Sequence, residues 1–175
     1  MSCFDNIETE DIQNCANTEQ PAGISEVGVH YAIHNQITTF PMPLGAGDDG
    51  YNYEAGVTVA TDLVFEAGKG FAKMLVQVDT GEVKISIVGN KGNKKTKRTF
   101  DFFVPSNNKK LLGFLRTHLN TPMVFCVPER SGQKHLLGDK YNPAYMSEVE
   151  GTTGKSGEDD NGIQFTIEAY SIPII

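Results

Sequence analysis

The chain has 175 residues, 22 acidic and 15 basic side chains, a formal net charge of −7, 18 glycines, 8 prolines and no tryptophan. This length is typical of one domain, and short runs of Val, Ile and Phe between turn residues favour a β-rich fold. The longest apolar run is about five residues, which excludes a membrane-spanning helix, and the acidic N-terminus lacks the features of a signal peptide.

The first third of the chain alternates with strand periodicity between stretches of turn residues. Residues 1–23 are polar and without periodicity, which predicts an N-terminal arm, whereas residues 24–175 form the single β-rich domain. Alternation predicts strands over 24–33 and 57–65. A long loop at 40–50, dense in Gly and Pro, separates them.

The next segment predicts a β-hairpin followed by a basic connection. Two alternating runs, 71–78 and 83–88, are joined by the turn residues 79–82. A further strand is predicted over 99–104, and the connection that precedes it, 89–98, is rich in lysine. We therefore expect an exposed basic loop between two strands.

One amphipathic helix is predicted at about residues 107–119. Pro105 ends the preceding strand, Ser106 is suited to cap a helix, and Asn120 begins the stop signal. The apolar stripe consists of Leu111, Leu112, Leu115 and Leu119.

Three more strands complete the prediction, over 123–127, 145–149 and 163–172, with a glycine-rich loop at 150–162 between the last two. The sequence thus predicts a mainly β fold. We expect a β-sandwich or barrel with one flanking helix and long inter-strand loops.

Charge is strongly segregated along the chain. Residues 1–68 contain 11 acidic residues and no Lys or Arg, residues 69–140 contain 14 basic and 5 acidic residues, and residues 141–175 contain 6 acidic residues and one lysine. Such segregation predicts patches of opposite sign that suit head-to-tail contact between copies, unless the sheet interleaves the segments and the patches cancel.

The basic connection is the candidate contact site. It could touch phosphates, dock on an acidic protein surface, or be a solvated hairpin tip. No aromatic side chain lies within it and the chain is acidic overall, so protein docking is the favoured functional reading. The candidate subunit-contact residues are Lys91, Asn93, Lys94, Lys95, Lys97 and Arg98.

The loop at 150–162 carries fragments of two ligand motifs. A phosphate-binding loop ending in Gly154–Ser156 would need a glycine where Val149 stands, and the downstream segment alternates as a strand. A calcium loop with Gly162 at its sixth position would have Gly157, which has no carboxylate, at its first. A plain connection between strands is therefore predicted.

No other constellation indicates a metal, a cofactor or an enzyme. His30 and His34 lie four residues apart on a predicted strand, roughly 13 Å, too far to share one ion. Cys3, Cys15 and Cys126 are odd in number and widely spaced, unlike a disulfide framework, and Cys126 is expected in the core. We expect no catalytic site and no cofactor.

Four segments in this order resemble the tail-tube-like structural proteins of tailed bacteriophages, especially of phages that infect Bacteroidetes. They are Ala22–Ile33, Ser106–Leu115, Thr121–Gly138 and Gly151–Gly162, followed by the closing strand. The likeness covers most of the chain, and it is one of pattern without a diagnostic residue.

The resemblance implies a virion protein, made in the host cytoplasm, that forms rings, hexameric by analogy, which stack into a tube. Its partners would be copies of itself, other tail or connector proteins, and passing genomic DNA bound without sequence specificity; no membrane is expected. The loops 89–98 and 40–50 and the arm 1–23 would reach neighbouring subunits. An acidic bore would not bind the phosphates of the passing DNA. The alternatives are a head–tail connector or collar ring, and a β-sandwich that binds a small ligand or carbohydrate.

Overall fold

The computed structural model describes residues 9–12 and 21–175, so most of the expected N-terminal arm, with Cys3 and Cys15, lies outside the described residues. The strands are β1 (Val29–Ile33), β2 (Ile37–Thr39), β3 (Val64–Phe65), β4 (Ala72–Met74), β5 (Glu82–Val88), β6 (Lys95–Val104), β7 (Met123–Pro128), β8 (Lys134–Leu137), β9 (Tyr145–Thr152) and β10 (Gly162–Ala169). One helix, α1, spans Lys109–His118, and a 3-10 turn spans His34–Gln36.

The strands form three antiparallel sheets, which confirms the predicted mainly β fold with one helix. The first sheet has the order β4-β1-β7-β8, the second β5-β6-β10-β9, and β2 and β3 form a small third sheet. Among the described strands none of these sheets closes into a barrel. Side chains of both large sheets contribute to one core cluster, as in a sandwich.

Alternation in the long central strands builds this core. Phe100, Phe102 and Val104 of β6 point inward and pair with Ile167, Phe165 and Ile163 of β10. The rings of Phe102 and Phe165 stack at 5.2 Å between centroids. Every second residue of these strands is therefore buried, as the period of a strand requires.

Helix α1 closes one side of the core. Its cap is Asn108, whose side chain accepts a hydrogen bond of 2.8 Å from the Leu111 amide; the prediction that Ser106 caps the helix is wrong. Leu111 is buried, and Phe114 packs against the core. The predicted leucine stripe holds only in part. Two of its members, Leu112 and Leu119, are exposed.

The predicted hairpin between 71–78 and 83–88 is wrong. β4 pairs with β1 of the first sheet, whereas β5 pairs with β6 of the second. The chain between them crosses from one sheet to the other, and Asp79 adopts a left-handed conformation with φ of 59° in that crossing. The turn residues at 79–82 therefore mark a change of sheet.

The outer face of the first sheet is covered. Val124, Leu136 and Ile174 form a second apolar cluster there, packed against residues of the long segment between β2 and β3. The Leu136 amide donates to the carbonyl oxygen of Ile174 at 3.1 Å, which fixes the C-terminal residues on the sheet. The predicted strand 57–65 is reduced to Val64–Phe65, because most of this segment serves as a cover. Among the described residues, no helix has the length and apolarity to cross a bilayer.

Candidate functional site

The outer face of the second sheet carries a row of alternating polar side chains, and we call it the open face. Lys84 lies 3.1 Å from both Glu82 and Asp101, and the hydrogen bonds with Asp101 and Glu82 raise its pKa. Lys97 pairs with Glu168 at 2.6 Å, and this bond raises the Lys97 pKa. The charged side chains of the open face are Glu82, Lys84, Lys95, Lys97, Asp101, Glu148, Glu150 and Glu168. Acidic groups therefore exceed basic ones by two.

Both outermost strands of this sheet have an unpaired side. Within residues 21–175, β5 pairs only with β6, and β9 pairs only with β10. Because every neighbouring pair in the sheet is antiparallel, β5 and β9 run in opposite directions. Unpaired edges of seven and eight residues present backbone donors and acceptors to another chain.

The two hairpins of the sheet end at opposite poles. The turn between β5 and β6, together with Lys95 at the start of β6, is the basic tip, residues 89–95, and the turn between β9 and β10 is the acidic loop, residues 153–161. The two turns lie beyond opposite ends of β6 because this strand begins at Lys95 and ends at Val104, which pairs with Ile163. Nine residue steps along β6 separate the poles by about 30 Å.

The structure places three of the six predicted contact residues in a turn and the other three in β6. Lys91, Asn93 and Lys94 lie in the turn and are exposed, as expected of a loop. The other three, from Lys95 onward, belong to β6, so the prediction that 89–98 is one loop is wrong. Lys95 lies over the Tyr170 ring at 5.4 Å, and Lys97 is held by its ion pair.

Arg98 is fully buried and cannot be a contact residue in the folded subunit, which corrects the prediction. Its guanidinium donates to the carbonyl oxygen of Leu136 at 2.6 Å and to Nδ1 of His135 at 3.0 Å. Burial lowers the Arg98 pKa to about 10. The group therefore links the two sheets from inside, β6 on one side and β8 on the other.

The bond from Arg98 indicates which tautomer the His135 ring adopts. A guanidinium can only donate, so Nδ1 of His135 must accept, and its proton sits on Nε2. That nitrogen lies 2.5 Å from a Glu129 carboxylate oxygen, to which it donates. Burial opposes ionisation of Glu129, but hydrogen bonds from Ser131 and His135 outweigh it and lower its pKa. Hydrogen bonds thus connect the buried cation through the His135 ring to the Glu129 carboxylate.

The half of the β5–β6 hairpin near the basic tip extends beyond the first sheet. Ile85 and Ile87 point to the same side as the core, yet they are 54% and 71% exposed. The partner residues across the strand pair are Arg98 and Thr96. Alternation alone does not show where the apolar cover ends, whereas the polar partners are a signal that it ends there.

The acidic loop is an ordered turn. Asp159 accepts hydrogen bonds from the Lys155 and Ser156 amides at 2.7 and 2.8 Å, and these bonds lower its pKa. Gly154 has φ of 71°, which favours glycine. The predicted loop between two strands is confirmed, because the Gly154–Ser156 run lies between β9 and β10.

An apolar groove of about 720 Å³ lies on the covered side of the molecule, under the segment between β2 and β3. Leu63, Phe65 and Phe71 line it, and Cys126 forms part of its wall. Cys126 is half-buried, and burial raises its thiol pKa. His30 also lines the groove, whereas Nε2 of His34 bonds the Asp139 carbonyl oxygen at 2.9 Å.

The sequence matches no protein-family model, no curated protein and no solved structure. Among the described residues, no three His, Cys, Asp or Glu side chains are grouped to hold a metal. The open face, the two edges of its sheet and the two poles are therefore the candidate functional site.

Proposed function

We propose that the protein is a structural subunit of a phage virion that assembles into rings, and that stacked rings form the tail conduit for DNA. The observation that carries the proposal is the second sheet, which, within the described residues 9–12 and 21–175, is unpaired at both edges and has exposed or half-exposed polar side chains on one face. The likeness of the sequence to tail-tube-like proteins supports the virion assignment. The partners are other copies of the chain and neighbouring tail proteins.

The strand directions favour closure into a ring. With four alternating strands, a rotated copy brings its β5 beside the first copy's β9 in the antiparallel sense. The same step repeats around an axis until the last β9 meets the first β5. A closed ring leaves no edge, which removes the hazard that two long unpaired strands present to a soluble subunit.

The open face suits the wall of a conduit. It is polar, and its acidic groups exceed its basic ones, so it repels the phosphates of a passing nucleic acid. The outer face of the first sheet is already covered by the second apolar cluster. Orienting the open face inward therefore leaves the covered layer outside.

Electron microscopy with mass measurement over a concentration series tests this assignment. The wild-type protein should form rings, and Ile87→Lys should remain a folded monomer, since an added charge on the edge strand β5 opposes pairing with another chain. Val64→Lys is the matched control, because Val64 is 51% exposed and lies outside this sheet. Rings from the Ile87→Lys protein, or no ring from the wild type under any condition, would contradict the proposal.

A head–tail connector or collar ring is the nearest alternative within the same class. Such a protein would form single rings that do not stack. The oppositely charged poles of the second sheet favour stacking, and therefore the tube.

The groove of about 720 Å³ favours one further function, the binding of a small apolar ligand. Saturable binding of an apolar fluorescent dye, one per chain, would support it. Thr61→Phe, which places a ring in the groove lining, should abolish that binding. Dye binding unchanged by Thr61→Phe would exclude the groove as the site.

A further inference from the structure

We propose that the rings stack through their poles, with the basic tip of one subunit docked on the acidic loop of a subunit in the next ring. This inference rests on the proposed function and names the partner of its axial surface, a second copy of the chain. The geometry points to it because the two surfaces lie at opposite ends of one sheet. A contact between unlike ends repeats with constant polarity and never closes, which is what a tube requires.

The two surfaces have complementary charge. The basic tip holds Lys91, Lys94 and Lys95 and no acidic residue, whereas the acidic loop holds Glu158, Asp159 and Asp160 against one lysine. All of these side chains are exposed. Within the described residues, none of the tip lysines and none of the loop carboxylates takes part in an ion pair. The charges therefore remain available to another subunit.

Both surfaces are preformed turns. The acidic loop is held by the bonds from Asp159 to two backbone amides, so its outward carboxylates are those of Glu158 and Asp160. In the basic tip, the Asn93 amide donates to the Asn90 carbonyl oxygen at 2.9 Å, and Gly89 has φ of 105°. Ordered turns lose little freedom on docking, which favours association.

Two lysines lie near the acidic loop but are not expected to contribute to the contact between rings. Helix α1 begins there with Lys109 and Lys110, and the Asn107 side chain ties the helix start to the Thr152 carbonyl oxygen at 2.6 Å. Neither lysine pairs with a carboxylate of the described residues. They attenuate the negative charge of this pole, so reversing them should not weaken the contact.

Exposed ion pairs are individually weak, and a ring multiplies each contact by its number of subunits. Stacking should therefore depend steeply on salt, because the screening length falls from about 8 Å at 0.15 M to about 3 Å at 1 M. By contrast, the proposed contact between neighbouring subunits of one ring is a set of backbone hydrogen bonds between edge strands. High salt should therefore separate tubes into intact rings.

Charge reversal tests the pairing of the two surfaces. One variant carries Lys91→Glu and Lys94→Glu, and a second carries Glu158→Lys and Asp160→Lys. Each alone should form rings but shorten mean tube length at least tenfold, as measured by electron microscopy and sedimentation. An equimolar mixture of the two should rebuild tubes, because each reversed surface then meets a complementary one; the fourfold variant should do the same.

The matched control is Lys109→Glu with Lys110→Glu, the same charge change at the other pole, which should leave tubes intact. Tubes of normal length from either reversed variant would overturn the inference, as would a mixture that stays as rings. Both results leave the ring assignment standing. A wild-type protein that forms neither rings nor tubes would overturn the proposed function itself, so the two failures are distinguishable.

Discussion

The two halves of the β5–β6 hairpin have the same alternating pattern and opposite environments. In the half under the first sheet, Phe100 and Phe102 are almost fully buried, whereas toward the tip Ile85 and Ile87 are more than half exposed. The strand is continuous through both halves. Alternation therefore determines the side to which a residue points, and the extent of the opposite sheet determines whether it is buried.

The basic run from Lys94 to Arg98 shows the same division for charge. Lys94 lies in solvent, and Arg98, four residues later, is a core residue that donates hydrogen bonds to His135 and to the Leu136 carbonyl oxygen. Residues of one charge in one short segment thus lie in solvent at one end and bond the two sheets inside the core at the other. Paired substitutions at the two ends make this difference measurable.

The largest effect is expected at Arg98. Arg98→Ala leaves the His135 Nδ1 and Leu136 carbonyl acceptors buried without a donor, so the free energy of unfolding should fall by about 3–5 kcal/mol. Lys94→Ala should change it by about 0.5 kcal/mol or less. Urea unfolding followed by circular dichroism measures both, and equal changes would contradict the division.

The second hairpin allows the same comparison with glycines. A Cβ at Gly162, at the base of β10, would collide with the Val104 carbonyl oxygen and the Phe103 ring, whereas a Cβ at Gly157 in the acidic loop would meet nothing. Gly162→Ala should lower the free energy of unfolding by about 1–3 kcal/mol. Gly157→Ala is the control and should leave the thermal midpoint unchanged. A midpoint that fell in both variants would mean that the loop is also tightly packed.

A smaller contrast is expected between two isoleucines of the second sheet. Ile167 is 1% exposed and Ile87 71% exposed. Ile167→Val should lower the free energy of unfolding by about 0.5–1.5 kcal/mol, the usual loss for a buried methylene. Ile87→Val should leave that of the isolated subunit unchanged, as measured in urea at concentrations where the protein is monomeric. An equal loss at Ile87 would show that its half of the hairpin is covered.

The smallest effect concerns the pH dependence of the acidic loop. The Asp159 pKa lies below 3.8 in the folded protein because Lys155 and Ser156 amides bond its carboxylate. The acidic loop should therefore be fully ordered above pH 3.8 and lose this order as the pH falls through the lowered pKa of Asp159. Amide exchange at Lys155 and Ser156 should accelerate in that window, whereas in Asp159→Asn it should show no such step. A constant protection of these amides down to the lowest pH would contradict it.

Local pattern was sufficient for much of the fold. The predicted strands 123–127 and 163–172 correspond to Met123–Pro128 and Gly162–Ala169, and the helix lies where its apolar spacing and stop residues placed it. In each of these elements the periodic pattern covers more residues than the error in locating the ends of the element. Their alternation is sharp because both large sheets bury one face on a common core.

Pairing between strands could not be read in the same way. The runs 71–78 and 83–88 are separated by a short turn-like segment, yet β4 joins β1, some forty residues earlier in the chain. Short strands near a turn pair locally only if no distant partner buries more apolar surface. The loop cover between β2 and β3 was missed for the same reason, since its apolar residues pack on a distant sheet.

Of the candidate site, only the exposed turn between β5 and β6 could be predicted from the sequence. Glycines around Lys91 and Lys94 indicate an exposed turn, and the structure has one there. Arg98 shares the parity of Phe100 and Phe102, which was a local signal for burial. Its acceptors lie on β8, more than 35 residues further along the chain, so the reason for burying a cation was not local.

In the proposed ring, the number of strands in the second sheet sets the width of the bore. Strands lie about 4.8 Å apart, so four of them supply about 19 Å of circumference per subunit before tilt. Six copies would give a ring about 37 Å across between backbones, or about 27 Å clear once side chains of about 5 Å line each wall. Each subunit added to or removed from the proposed ring would change that width by about 6 Å, so the measured width of the bore would give the number of subunits.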